Sequence, residues 1–219
     1  MPDISVLRKS SLGTRPIQRF FQFFIRLIGW RVEGELPDFP KFVLIVHPHT
    51  SNWDVPYGMF AAHALGLLTN WPYGFMVKDS ALRWPVLGPF LRWLGGVGIN
   101  RRSQFNAVEQ MVAAFGQHER LMLVITPEGT RSKAKYWKSG FYHIALGARV
   151  PIVPAYIDYG QRRAGLAPVF WPTGDAEKDL QFMRDFYADK IGLYPHQAGE
   201  IRFKQSEVEP ERGPVPAAG

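Results

Sequence analysis

The stretch HPHTSNWD, residues 47–54, sets two histidines, a serine, an asparagine and an aspartate directly after an apolar run. His49 and Asp54 are separated by four residues, H-x4-D. Across that gap a carboxylate can turn back to accept a hydrogen bond from one imidazole nitrogen. The tautomer is then fixed, and the other nitrogen is left to take a proton from a substrate hydroxyl. His49 is therefore the first candidate base and Asp54 its orienting partner. His47 stands at the same offset from Asn52, which holds no charge to stabilise an imidazolium, and ranks second. Two other uses compete: imidazoles two apart can share a metal ion, and a histidine at a strand end can bond to backbone alone. The chain has no cysteine, and neither H-x3-H nor H-E-x-x-H lies nearby to complete a ligand set, so no metal is expected.

A second chemically loaded stretch is ITPEGTRSK, residues 125–133. Gly129 lets backbone approach a ligand closely, Arg131 presents a planar fork suited to phosphate, and Lys133 adds charge. Glu128 is out of character with anion binding, so it either holds an arginine in place or bonds a substrate hydroxyl. Arg101 and Arg102, following GGVGIN, reach the same anion if the loops converge, and are otherwise a solvated pair. Lys78 is a further candidate anion contact. Taken alone, the glutamate–glycine stretch also fits an ordinary turn with a surface ion pair.

Short runs rich in β-formers must carry these loops. FVLIV at 42–46, GFMV at 74–77, GVGI at 96–99, LMLVI at 121–125 and PIVPAYI at 151–157 read as buried strands. Helical patterns lie between them; that at 103–118 opens on Ser103 as N-cap, and that at 179–192 closes on Gly192. The alternation predicts an α/β fold: a single layered domain with a largely parallel, mixed sheet flanked by helices. In such folds ligands gather beyond the carboxyl ends of the strands. His49 follows the first run, Arg101 the third and Glu128 the fourth, so three polar loops are expected at one crevice.

The 219 residues suit one domain, spanning 32–204, between a disordered start at 1–14 with a helix at 15–31 and a polar tail at 205–219. The absence of cysteine removes thiolate chemistry and fits a reducing compartment. Formal charge is +7, and the first 31 residues hold six Lys/Arg against one Asp, which predicts an anionic partner. In RPIQRFFQFFIRLIGW, Arg15, Arg19, Gln22 and Arg26 form one stripe and Phe20, Phe21, Phe24, Leu27 and Ile28 the opposite one. Basic on one side and aromatic on the other predicts an interfacial helix on an anionic membrane surface, not a nucleic-acid contact. The segment is too short to span, since spanning needs about 18 apolar residues. A core helix with snorkelling arginines is the other reading.

Four blocks in order resemble the glycerolipid acyltransferase family, which includes the 1-acyl-glycerol-3-phosphate (lysophosphatidate) acyltransferases. They are His49, Ser51 and Asp54; GGVGINR through Arg101; Glu128, Gly129, Thr130 and Arg131; and VPIVP at 150–154, together covering about His47 to Ile157. The resemblance implies transfer of an acyl group from acyl-CoA or acyl carrier protein to a hydroxyl of a lysophospholipid, on the cytoplasmic face of a membrane and without a cofactor. His49 would act as base, Asp54 would orient it, and Arg101, Glu128, Gly129, Thr130 and Arg131 would form the acceptor-phosphate site, with Ser51, Lys78 and Arg102 secondary. Asn100 stands where the family often has aspartate, Gly98 where it has a bulky residue, and Pro48 where asparagine usually precedes the histidine. These departures bear on the acceptor and not on the base.

Such substrates must reach a polar site from a bilayer. Residues 82–96, LRWPVLGPFLRWLGG, crowd Trp84, Val86, Leu87, Phe90, Leu91, Trp93 and Leu94 around two arginines. Core packing explains them most simply; an acyl tunnel and a second membrane contact are the other readings. A non-catalytic lipid-binding protein of the same fold and a hydrolase acting on acyl thioesters are the competing functions. No G-x-S-x-G elbow supports the commonest esterase design.

Overall fold

The computed structural model describes residues 15–93, 95–99 and 104–204. The expectations for the two termini and for Arg101, Arg102 and Ser103 lie outside these residues.

The chain opens with helix α1 (Arg15–Leu27), then strand β1 (Arg31–Glu33), β2 (Lys41–Val46), α2 (Asp54–Leu65) and the short α3 (Leu67–Asn70). Strand β3 (Tyr73–Lys78) leads through α4 (Asp79–Leu82) and α5 (Leu87–Trp93) to β4 (Gly96–Ile99) and α6 (Gln104–Gln117). Then come β5 (Leu121–Ile125), α7 (Gly140–Ala148), β6 (Ile152–Asp158), β7 (Arg163–Leu166), α8 (Ala176–Tyr187) and a 3-10 turn at Pro195–Gln197. The strands form one sheet in the order β1-β7-β6-β2-β5-β3-β4. Pairs among β6, β2, β5, β3 and β4 are all parallel; β7 runs antiparallel to β6, and β1 parallel to β7.

The central strands are continuous apolar runs because helices cover both faces. Residues alternate between them: Val43 and Ile45 of β2 meet α6, α7 and α8, whereas Phe42 and Leu44 meet α2 and α3. All five predicted strands are present. The two missed, β1 and β7, sit together at one edge and span three and four residues, too few to show a period of two.

Helix α8 begins at Ala176, where Asp175 caps it by accepting from the Lys178 amide at 3.1 Å, and ends at Tyr187, short of the Gly192 that the sequence indicated. Tertiary hydrogen bonds pull the following chain away: the Ile191 carbonyl accepts from the Tyr159 amide at 2.8 Å, and the Ile191 amide donates to Asp158 at 3.4 Å.

Helix α1 runs antiparallel to α2, with Gln18 and Gln22 donating to the Ala64 carbonyl near one end and Trp30, just past α1, stacked on Tyr57 at the other. Ile25 is buried between them, and Phe21 and Phe24 pack on Phe60. The helix therefore has three sides, where the sequence showed two. One faces α2, one carries exposed Arg15, Arg19 and Arg26, and one exposes Ile17, Phe20, Phe23 and Leu27. The core-packing expectation for 82–96 is corrected more sharply. Trp84, Val86, Leu87, Phe90 and Trp93 are exposed, because α5 turns chiefly Gly88 and Leu91 inward. No helix among the described residues is long and apolar enough to cross a membrane.

Candidate active site

Strand β2 ends at Val46, and the loop 47–53 leads into α2 at the carboxyl end of the parallel strands. His49 and Asp54 meet there: Nδ1 of the imidazole lies 3.1 Å from Oδ2 of the carboxylate, and both residues are buried. Oδ2 also accepts from the Thr50 and Ser51 amides, each at 2.9 Å, while Oδ1 accepts from the Tyr159 hydroxyl at 2.9 Å. Asp54 opens α2, where the helix dipole favours negative charge. Burial alone would raise its carboxyl; the hydrogen bonds from His49, the Ser51 amide and Tyr159 outweigh burial and hold it below the usual carboxylate range. Tyr159 responds in the opposite sense, its phenol pushed well above its ordinary range by burial and by bonding to Asp54. Asp54 is thus a fixed anion. His49 Nε2 has no protein partner among the described residues.

The glutamate of the second motif lies beneath this loop. Glu128 is 2% exposed. Its Oε2 accepts from the His49 amide at 3.1 Å, and its Oε1 accepts from the Gly199 amide at 3.2 Å. Oε1 also lies 2.7 Å from His47 Nδ1, an ion-pair distance at which the ring nitrogen is not aligned for a hydrogen bond. His47 is itself buried, edge-on to Trp137 and Tyr187, each with ring centroids 4.9 Å away. His47, the first histidine of HPH, therefore belongs to the support of the loop. Ser51 has a local part: its hydroxyl accepts from the Trp53 amide at 3.1 Å, tightening the turn into α2.

A third segment, 192–199, ties the two motifs together, and nothing in its sequence announced it. The Tyr194 amide donates to Thr50 Oγ1 at 3.2 Å, and Gly192 sits where a β-carbon would come within 2.7 Å of that oxygen. With its amide turned to suit its neighbours, Gln197 donates from one nitrogen to the Thr50 carbonyl at 3.1 Å and the Arg131 carbonyl at 2.6 Å. The H-x4-D loop and the E-G-T-R loop are thus side by side. Gly129 adopts φ +64°, a left-handed turn that a side chain would strain. Thr130, Arg131 and Lys133 are exposed, and the Arg131 guanidinium has no carboxylate partner among the described residues. Thr130 Oγ1 accepts from the Ser132 amide at 3.2 Å. Lys78 ends β3 at the same end of the sheet.

Tyr159 was also missed, although it follows directly on the recognised β6 block. A phenol just past the carboxyl end of a strand beside β2 is the signal that could have found it. Among the described residues no three His, Asp or Glu side chains are grouped to hold a metal ion.

A buried imidazole–carboxylate pair at the carboxyl end of a mostly parallel sheet, with an exposed arginine on the adjoining loop, is an arrangement for acid–base work on an anionic substrate. The model of the family described as Acyltransferase matches residues 31–158, and the chain belongs to that family. It is 25% identical over 214 residues, 90% of this chain and 84% of the relative, to 1-acyl-sn-glycerol-3-phosphate acyltransferase of Haemophilus influenzae. The protein of that name from Salmonella typhimurium is 28% identical over 149 residues, 64% of this chain and 58% of the relative. The one from Cocos nucifera is 37% identical over 84 residues, 36% of this chain and 27% of the relative.

Proposed function

We propose that the protein moves a fatty acyl group from a thioester of CoA or acyl carrier protein to a hydroxyl of 1-acyl-glycerol-3-phosphate or a related lysophospholipid. It would work as a peripheral protein on the cytoplasmic face of an anionic membrane. One observation carries the reading: His49 is held through Nδ1 by an ionised Asp54, while Nε2 has no protein partner among the described residues. The names of the relatives supply the acceptor.

In this reading Nε2 takes the proton of the acceptor hydroxyl as its oxygen attacks the thioester carbonyl carbon. The tetrahedral adduct collapses by breaking the carbon–sulfur bond, and the imidazolium returns the proton to the departing thiolate. Asp54 stays ionised and offsets the transient positive charge, as the aspartate does in a serine-protease triad. No acyl-enzyme is needed and no cofactor enters, because both reactants are substrates. Thiolate leaves readily, so base help and alignment of the two substrates account for most of the acceleration. Arg131, with Thr130 and the tight backbone at Gly129, receives the acceptor phosphate, and Arg101, Arg102 and Lys78 are further cationic candidates. Glu128 serves this site indirectly: its buried carboxylate anchors the His49 amide.

The test is product analysis with a labelled acyl-CoA, with and without lysophosphatidate. Label appearing in a new diacyl ester only when acceptor is present supports the reading. Release of free fatty acid at the same rate with or without acceptor would replace it with a thioester hydrolase.

A further inference from the structure

Two exposed apolar clusters lie on the same face of the sheet. Phe20, Phe23 and Leu27 of α1 are 60%, 66% and 69% exposed, and Trp84, Val86, Phe90 and Trp93 in and before α5 are 64%, 84%, 52% and 63% exposed. Helix α1 packs on α2, and α2 covers the sheet face that carries Phe42 and Leu44. Helix α5 covers the same face farther along. Tyr73 and Phe75 of β3 belong to the α2-side core, Gly96 pairs with Phe75, and a β-carbon on Gly96 would come within 2.7 Å of the Leu91 carbonyl and 3.2 Å of Val77. Both crossovers, from β2 to β3 and from β3 to β4, step the same way along the sheet, so right-handed connections put their helices on one side.

One end of each helix also lies at the mouth of the site. Helix α2 starts at Asp54, α1 runs antiparallel to it and so ends nearby, and α5 starts where β3 has delivered the chain to the carboxyl end of the sheet. Trp53, 62% exposed, stands at the entrance to α2.

We propose that this face is a two-part docking surface for an anionic lipid bilayer, with α1 and the 84–93 segment inserting side by side at the rim of the His49 site. The choice of a lipid partner rests on the acyl transfer to a lipid acceptor proposed above. Charge and residue type point the same way. Residues 15–32 contain four arginines and no carboxylate, and so do residues 80–103. Tryptophan and phenylalanine with arginine are the composition of a membrane interface. A second copy of the chain fits poorly, because a two-fold contact buries the same surface of both copies, and neither segment holds a carboxylate to offset the arginines brought together there.

The experiment is sedimentation of the full chain with vesicles of phosphatidylcholine alone, or with one part in three replaced by phosphatidylglycerol. No substrate or turnover is involved, so failure of the acyl-transfer reading and failure of this one are separate results. The unmodified protein is expected to bind the anionic vesicles, and added salt to weaken that binding. Trp84→Ser with Trp93→Ser, and separately Phe20→Ser with Phe23→Ser, should each weaken binding by about tenfold or more. Vesicle binding unchanged by the tryptophan pair overturns the two-part surface. So does a tryptophan pair that converts a dimer to a monomer without altering vesicle binding. A second measurement needs no variant: lipids brominated in their acyl chains should quench tryptophan fluorescence of the unmodified protein in anionic vesicles, and no quenching would overturn the proposal.

Discussion

The Tyr159 hydroxyl donates a 2.9 Å hydrogen bond to Oδ1 of Asp54, the oxygen opposite the one that meets His49. A residue just past β6, the neighbour of β2 in the sheet, thereby fixes the carboxylate that fixes the base. Tyr159→Phe removes this donor and leaves Oδ1 without its protein partner. A hydrogen bond to a charged group is worth about 1.5–3 kcal/mol. We expect kcat to fall about tenfold with the acceptor KM nearly unchanged, since each 1.4 kcal/mol is a factor of ten. Steady-state kinetics across acceptor concentrations check the split. The phenol is held protonated by burial and by Asp54, so the effect should not depend on working pH.

Asp54→Asn keeps the side-chain shape but removes the charge that offsets an imidazolium. We expect a rate loss of about 10²–10⁴, the scale of general-base help. The stability consequence has a sign set by the lowered carboxyl. Its folded value lies below the unfolded 3.8, so the stabilisation is fully present above that pH and is lost as pH falls through the folded value. The stability gap between wild type and Asp54→Asn should therefore be wide at pH 7 and shrink progressively as pH falls below 3.8. Denaturant melts at both pH values measure it.

Glu128 and Arg131 sit three residues apart and should fail differently. In Glu128→Gln the new amide nitrogen must face either the His49 amide or the Gly199 amide, donor against donor. A buried donor left unsatisfied costs about 1–3 kcal/mol. For a chain of this length each kcal/mol lowers Tm by about 2–4 °C. We expect lower Tm together with lower kcat. Arg131→Ala lies at the surface, where stability changes stay within about 0.5 kcal/mol. Its effect should be a raised KM for the phosphate-bearing acceptor at unchanged Tm. Thermal melts and acceptor titrations on the two variants separate the roles.

Gln197→Leu cuts the bridge between the Thr50 and Arg131 carbonyls. With the two loops no longer coupled, acceptor KM should rise several-fold, while the KM for the thioester moves little. Restoration by Gln197→Asn is not expected, because the shorter side chain cannot span both oxygens.

The central strands and the His49–Asp54 pair were legible in the sequence because both are local: a run of β-formers declares a buried strand, and four intervening residues bring an imidazole to a carboxylate. What stayed hidden is what tertiary packing decides. Strands β1 and β7 are too short to show a pattern and exist by pairing with each other and with β6. Residues 82–96 have a core composition, yet α5 points its aromatic side chains outward. Glu128 looked like part of a substrate site by its neighbours in the chain, whereas its burial beneath His49 depends on partners 79 and 71 residues away. Gln197 carries no signature at all. A lone glutamine acquires its place only when the segment after α8 is laid across two loops.

The most direct measurement of the central claim is kcat for His49→Ala under saturating thioester and acceptor, with Tm matched to wild type. Transfer resting on that imidazole predicts a fall of about 10²–10⁴ in kcat. A variant that folds normally and turns over within threefold of wild type would contradict it, leaving the buried pair with no part in the reaction.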